Sequence, residues 1–376
     1  MKILHVIDSM DPSAGGPPQV CANIAVEQAK SNEVHICSYS DNTTCEKLVE
    51  GSSVRFHQVF PLSMTEKFLG TNSKTVLSEI VENFDFVHIH NVWESILLSA
   101  SKAAIKLNVP YCVTPHGMLD PWSLSQKRWK KQVAMRLGRA KLLENASFVH
   151  ALNAKEQVGI GKLNLKCRFE IVPNGVALDQ ILPLFDKGPF CEKYPGLAEK
   201  PFVLFLARLH YKKGLDILAE AAGIFLEKFP KWQIVIAGPD GGAKEAFEKR
   251  IGQLQLNSQV HLLGPIYGDL KYSLVKAAEV FVLPSRQEGF SVAILEAMAA
   301  ANPVVITENC NFDEVAANEC GIVTALKYEN IADALASLAS DPGMRERLGR
   351  SGRALVERDY TWAKVCQLLQ SKYQSI

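Results

Sequence analysis

Short apolar runs recur along the chain with room for a helix between them, and within each run polar and apolar positions do not alternate strictly. Such runs read as strands buried on both faces, because a parallel sheet covered by crossover helices has no wet side. In the first half they fall at 3–7, 34–38, 86–89, 111–114 and 148–151. The second half repeats the theme at 202–207, 234–237, 260–262, 280–283 and 304–306. This βαβ rhythm predicts an α/β fold with two parallel sheets in succession, each carrying helices on both faces. A hinge is expected at Ile171-Val172-Pro173-Asn174-Gly175-Val176, where proline and Asn-Gly mark a turn, followed by irregular chain through Pro201. The expected domains are therefore 1–176 and 177–359. Over 360–376 apolar positions return at helical spacing, and this last segment is expected to pack back on the first domain.

Composition narrows the class. A chain of 376 residues exceeds what one core usually supports. The formal charge of +1, with 41 basic against 40 acidic residues, excludes a domain-wide basic surface and with it a nucleic-acid binder. Nine cysteines are scattered without a Cys-x-x-Cys pair and read as reduced, mostly buried thiols of a cytosolic protein. The start, Lys2-Ile3-Leu4-His5-Val6-Ile7-Asp8, shows no signal-peptide pattern, and no apolar run reaches membrane-spanning length. A soluble, cytoplasmic protein is expected, with contact to the inner membrane face as the one open question. That question comes from 126–141, where Lys127, Arg128, Lys130, Lys131, Arg136, Arg139 and Lys141 occur without an acid while Trp129, Val133 and Leu137 recur at helical spacing. A basic helix with one apolar stripe suits anionic lipid or a lipid-linked phosphate; a stripe packed inward under solvated charges is the alternative.

Candidate chemistry clusters at expected strand ends. After 280–283 comes Pro284-Ser285-Arg286-Gln287-Glu288-Gly289-Phe290-Ser291, opening a helix that carries Glu296. The spacing of Glu288 and Glu296 is near two helical turns, so they would point the same way if the intervening run were helical. Solvated first-turn acids are the competing reading. After 202–207, Arg208 and Lys213 precede Gly214, two fixed cations suited to a diphosphate leaving group. Ser13-Ala14-Gly15-Gly16-Pro17-Pro18-Gln19 follows the first strand, and its glycines let peptide N–H groups approach a phosphate or sugar, although a plain turn has the same composition. His116, in Thr114-Pro115-His116-Gly117-Met118, is placed to hydrogen-bond a sugar hydroxyl or to help deprotonate an acceptor. His88 and His90 alternate along a strand and read as structural. No Asp-x-Asp occurs, which puts a diphosphate on cations and helix amides rather than on a metal.

Taken in order, Gly15-Gly16, Thr114-Pro115-His116-Gly117-Met118, Val172-Pro173-Asn174-Gly175-Val176, Arg208 with Lys213-Gly214, Gly238-Pro239-Asp240-Gly241, and Glu288-Gly289-Phe290 through Glu296-Ala297-Met298-Ala299 closely resemble glycosyltransferase family 4. The resemblance implies the GT-B architecture: two Rossmann-like domains facing across a cleft, the second holding a nucleotide-sugar and the first an acceptor. It implies a hexose transferred from a nucleoside-diphosphate sugar to a glycan or lipid-linked acceptor with retained anomeric configuration, without a cofactor or bound metal. By the same resemblance Glu288 lies near the donor hexose and Glu296 at the ribose hydroxyls. Arg208 and Lys213 sit on the diphosphate, the N–H groups of Gly289, Phe290 and Ser291 around it, and His116 near the transferred sugar. Gly16 closes on the donor, and the base lies near Leu262-Leu263-Gly264-Pro265, which brings in Leu263. Ser291 stands where many members have glycine. The stretch Pro115 to Trp122 with its basic continuation looks like members that build bacterial surface polysaccharides. A GT-B sugar-nucleotide epimerase and a non-catalytic sugar-binding protein are the rival readings.

Overall fold

Thirteen strands form in the described chain, and the fully buried ones are mostly apolar, with buried histidines among them in the first sheet. The computed structural model describes residues 1–12, 16–60 and 63–376, with 67 and 68 described in their backbone only. The first sheet comprises β1 (Lys2–Val6), β2 (Glu33–Ser38), β3 (Arg55–Gln58), β4 (Phe86–His90), β5 (Tyr111–Thr114), β6 (Phe148–Ala151) and β7 (Phe169–Ile171). The second comprises β8 (Phe202–Leu206), β9 (Gln233–Ala237), β10 (Val260–Gly264), β11 (Val280–Leu283), β12 (Val304–Thr307) and β13 (Gly321–Thr324).

All strand pairings in both sheets are parallel. The orders are β3-β2-β1-β4-β5-β6-β7 and β10-β9-β8-β11-β12-β13. Each sheet thus starts in its middle, winds one way, then returns and winds the other, the doubly wound pattern that opens a crevice where the direction reverses. In the first sheet the reversal lies between β1 and β4, in the second between β8 and β11. Each sheet has its own buried apolar cluster.

By contacts the chain divides into Met1–Asn174 with Trp362–Ile376, and Gly175–Thr361. The final helix, Trp362–Gln374, packs on helix Gly16–Ala29 of the first unit. Its Tyr373 stacks on Phe86 with ring centroids 4.1 Å apart. Within the second unit the Val176 N–H donates to the Tyr360 carbonyl at 2.8 Å, tying together the two places where the chain crosses between units.

Three strands escape the sequence pattern. β3 and β7 are the edges of the first sheet and β13 an edge of the second, and none of their residues is fully covered. The stretch expected to be irregular through Pro201 instead holds short helices, Leu178–Ile181, Gly188–Lys193 and Pro195–Ala198, the last two with a proline in the first turn. The expected basic helix at 126–141 is also corrected. Helix Arg128–Ala134 runs into a π-type turn, Met135–Arg139, in which Leu137 and Gly138 leave helical geometry, with Gly138 at φ 121°. A new helix, Ala140–Glu144, follows.

Candidate active site

In the second unit the loops 207–214 and 284–291 leave the neighbouring strands β8 and β11, from which the chain departs in opposite directions. The two loops are fastened to each other. Gly214 has φ +71° and lies so close to loop 284–291 that a Cβ there would stand 2.0 Å from the Pro284 carbonyl oxygen, so only glycine fits. The Arg286 N–H donates to the Lys212 carbonyl at 2.7 Å. The Arg286 guanidinium grips both oxygens of Asp216 at 2.7 and 2.6 Å and lies 4.0 Å over the Tyr211 ring.

Inside this frame the Lys213 ammonium meets Glu288 Oε1 at 2.6 Å. Ser285 Oγ donates to the same oxygen, and Oε2 takes no bond from a described residue. Glu288 is 7% exposed, so its charge depends on these partners. The loop behind is held by Asn311, whose amide donates to the Glu288 carbonyl at 2.7 Å, and by the Glu288 N–H on the Asn309 carbonyl at 3.0 Å. Arg208 is exposed and makes no ion pair among the described residues. Partial burial, reinforced by Arg208, Lys212 and Lys213, lowers the pKa of His210, whose Nδ1 accepts the Lys212 N–H at 3.1 Å. A field that disfavours a proton on His210 favours an anion.

Glu288 and Glu296 do not share a helix. The helix runs Val292–Ala299, so Glu288 lies in the loop before it, and the seven-residue spacing is not two helical turns. Ser291 is the N-cap but its side chain makes no capping bond, which leaves the first-turn N–H groups to other partners. Glu296, also buried, pairs at 2.7 Å with Lys271, a residue the sequence reading missed. Burial opposes the Lys271 charge, but Glu296 and Tyr272 more than offset it and its pKa is raised. Phe290 packs on Phe312 and Tyr360 beside Gly289. Leu263 lies near the carboxyl end of β10, where the register shifts between Leu262 and Gly264. Thus Lys213 and Glu288 touch and Arg208 shares the loop of Lys213, whereas Glu296 and Leu263 are placed by two other segments of the same sheet edge.

In the first unit, His116 follows β5 and takes φ +51°, an uncommon conformation for a side chain of its size, with Gly117 next at φ +72°. Glu156 holds this turn. One of its oxygens accepts the Gly117 N–H at 2.8 Å and the other the Leu152 N–H at 2.7 Å. Burial raises the Glu156 pKa to about 7, against the pull of those two amides. Asn153-Ala154-Lys155-Glu156 has the form of a helix capping box, and Asn153 does cap the Glu156 N–H, but the carboxylate is diverted to the histidine turn. His116 Nε2 lies 3.0 Å from His90 Nδ1. Burial pushes its pKa down to about 3, so the ring is neutral. His5, Cys21 and His90 bring ligand atoms within 4.8 Å of one another, yet both ring nitrogens of His5 and of His90 are engaged in hydrogen bonds.

Gly16 begins helix Gly16–Ala29, and a Cβ built on it meets nothing within 4 Å. Residues 13–15, including Gly15, lie outside the described residues. At the neighbouring strand ends the Asn91 amide donates to Asp8 at 2.6 Å. Farther along, the apolar stripe of the basic segment faces outward, with Trp129 67%, Val133 46% and Leu137 68% exposed. Lys131 and Arg139 turn inward instead: Lys131 donates to the Ser123 carbonyl at 2.6 Å and Arg139 to the Trp93 carbonyl at 2.8 Å. A groove of about 340 Å³ lies beside the stripe, lined by Leu124, Met135 and Leu163 with Arg128 and Lys131.

Two doubly wound parallel domains in series define the GT-B class. Residues 14–180 match the model of Glycosyltransferase Family 4 and residues 192–355 that of Glycosyl transferases group 1. The chain belongs to the GT4-type glycosyltransferases. Alpha-D-kanosaminyltransferase of Streptomyces kanamyceticus is 32% identical over 187 residues, 49% of this chain and 48% of that protein, so the match spans about half the length of that relative. GDP-mannose:cellobiosyl-diphosphopolyprenol alpha-mannosyltransferase of Xanthomonas campestris is 25% identical over 97% of this chain and 94% of its own. Among solved structures, Anabaena Alr3699/HepE in complex with UDP and glucose superimposes over 100% of both chains with a TM-score of 0.80 at 19% identity, a likeness of fold.

The Glu156 arrangement has a pH signature. A carboxyl whose native pKa is raised from 4.5 to about 7 contributes most below 4.5, and that contribution is lost as pH rises toward 7. The urea midpoint of the wild type is expected to fall over that window relative to Glu156→Gln. The variant itself, with an amide NH₂ facing a peptide N–H, should lose about 1–3 kcal/mol at acid pH. Parallel pH profiles for the two proteins would contradict the assignment.

Proposed function

We propose that this protein is a retaining hexosyltransferase that moves a sugar from a nucleoside-diphosphate donor to a hydroxyl of a glycan or lipid-linked acceptor in cell-surface polysaccharide synthesis. The observation that carries this reading is the Lys213–Glu288 contact at the strand-order reversal of the second sheet, with Arg208 exposed on the same loop. As the bond to the nucleotide stretches, negative charge grows on the departing diphosphate and positive charge on the sugar ring. Arg208, Lys213 and the N–H groups of Gly289, Phe290 and Ser291 stabilise the first, without a metal. Glu288 orients the hexose through the oxygen that its lysine and serine partners leave over; a carboxylate tied to an ammonium is a weakened nucleophile, which favours orientation over a covalent glycosyl-enzyme. Glu296 receives the ribose hydroxyls, and Leu263 borders the base. Neutral His116 is too weak a base to take the acceptor proton, so the departing phosphate oxygen takes it and His116 accepts a sugar hydroxyl hydrogen bond.

A lipid-linked acceptor is favoured by the outward stripe of Trp129, Val133 and Leu137 among basic residues, and by the full-length relative's name, which includes a diphosphopolyprenol acceptor. No helix of the described residues is long and apolar enough to cross a membrane. The protein on this reading works at the cytoplasmic membrane face as a peripheral enzyme.

Incubation with nucleoside-diphosphate hexoses and a polyprenol-diphosphate sugar is expected to yield a new glycoside of unchanged anomeric configuration, and Arg208→Ala to lower its formation by about 10²-fold or more. An isomerised free nucleotide-sugar as the sole product, or normal turnover by the variant, would contradict this reading. In sedimentation with phosphatidylglycerol vesicles the wild type should bind and the double variant Trp129→Ser/Leu137→Ser should lose on the order of a hundredfold or more in affinity, since burying each large apolar side chain contributes about 1.5–3 kcal/mol. Equal binding of the two proteins would remove the stripe from the interface.

A further inference from the structure

The face of the first sheet under helices Gly16–Ala29 and Trp362–Gln374 is lined by histidines. His5 pairs in register with His88, and His90 with Thr114, so β1, β4, β5 and β6 present His5, His88, His90, Thr114 and His150 as neighbours. A cluster of this kind in an apolar core is tolerated only if every proton has an acceptor.

The sense of those protons follows from one end. His150 Nε2 lies 2.7 Å from the Val172 carbonyl, and a carbonyl only accepts, so His150 carries its proton on Nε2 and its Nδ1 must accept. Thr114 Oγ1, 2.8 Å from that Nδ1, therefore donates to it, and then accepts from His88 Nε2 at 2.6 Å. His88 Nδ1 is left as an acceptor and takes the Tyr373 hydroxyl proton at 2.8 Å. The Tyr373 oxygen accepts the Gln28 amide at 3.4 Å, and the Gln28 carbonyl oxygen, free only to accept, takes His5 Nε2–H at 2.8 Å. His5 Nδ1 then accepts from His90 Nε2 at 3.0 Å, and His90 Nδ1 from His116 Nε2 at 3.0 Å. No link has two donors or two acceptors.

We propose that the Val172 carbonyl, through this unbroken series, fixes His116 in the Nε2–H form, so that its Nδ1 can only accept a hydrogen bond, and that His90 is the positioning residue that delivers this constraint. The rings behave as single-proton relays because burial holds them neutral: His5 and His150 are pushed down to about 4, and His88 and His90 well below the ordinary value. No described residue occupies His116 Nδ1. The ligand it takes is a hydroxyl group, a donor that a fixed lone pair recognises and that a carbonyl or carboxylate oxygen cannot imitate. That the hydroxyl belongs to a sugar rests on the transferase reading above; the tautomer does not.

Histidine-selective nitrogen-15 NMR of the ligand-free protein reads the tautomers directly. Expected are His5, His88, His90, His116 and His150 all protonated at Nε2. Thr114→Val keeps the shape of the side chain and removes the hydroxyl that passes on the anchor, and Tyr373→Phe cuts the series at another link. In either variant part of the His116 signal should move to the Nδ1–H form, and kcat/KM for transfer should fall about tenfold, as when a supporting hydrogen bond behind a ligand-binding histidine is lost. A wild-type His116 protonated at Nδ1 overturns the proposal, as does a His116 signal unmoved in both folded variants. Should neither variant fold, the wild-type spectrum still decides the tautomer. Absence of transfer by the wild type with Nε2–H intact would strike at the transferase reading alone.

Discussion

The ion pair between Lys213 and Glu288 is the interaction around which the second unit's site is arranged. Both groups are largely covered, and a covered carboxylate without its partner is costly, on the order of 3–5 kcal/mol when one member of such a pair is removed. The pair persists because the two loops that carry it cannot separate: Gly214 lies against the Pro284 carbonyl, Arg286 clamps Asp216, and its N–H holds the Lys212 carbonyl. Glu288 is the counter-ion of Lys213. On the proposed reading an incoming diphosphate shares the lysine with Glu288, whose second oxygen remains for a neutral hydroxyl donor. The same contact ties the two loops together and, on that reading, leaves each member with a role toward the donor.

The first unit solves a different problem. Its polar core is a neutral hydrogen-bonded series of imidazoles, hydroxyls and an amide, closed at one end by the Val172 carbonyl and at the other by His116. Neutral groups need no counter-ions, only matched donors and acceptors, and such a network is rigid because every member is already used. Glu156 adds the local constraint, holding the peptide of Gly117 so that His116 keeps a backbone conformation it would otherwise leave. One unit therefore carries a clamped ion pair and the other a neutral hydrogen-bonded series.

Much of this was legible in the sequence where a signal is local. Central strands such as 202–207 and 280–283 announced themselves as continuous apolar runs, and the cations and acids following them fell in the loops where a doubly wound sheet puts its ligands. The edge strands Arg55–Gln58 and Phe169–Ile171 did not, because they have one side uncovered and no apolar run to show. The break at Gly138 was hidden by a periodicity that continues across it, and the relation of Glu288 to Glu296 was misread because their spacing alone does not say that the helix begins at Val292. Lys271, Glu156 and the histidine series depend on which residues the register sets side by side. His5 and His88 are distant in sequence and adjacent in the sheet, so no local signal pairs them.

On the proposed reading Lys213 serves the diphosphate while Glu288 serves the sugar. Calorimetric titration of UDP and GDP into the wild type, Lys213→Ala and Glu288→Gln separates the two. Loss of the lysine is expected to weaken nucleoside-diphosphate binding by at least about tenfold, as for a charge-assisted bond to phosphate. Neutralising the glutamate should leave that affinity unchanged or tighten it, by freeing the lysine. Equal weakening by both substitutions, or by Glu288→Gln alone, would contradict it.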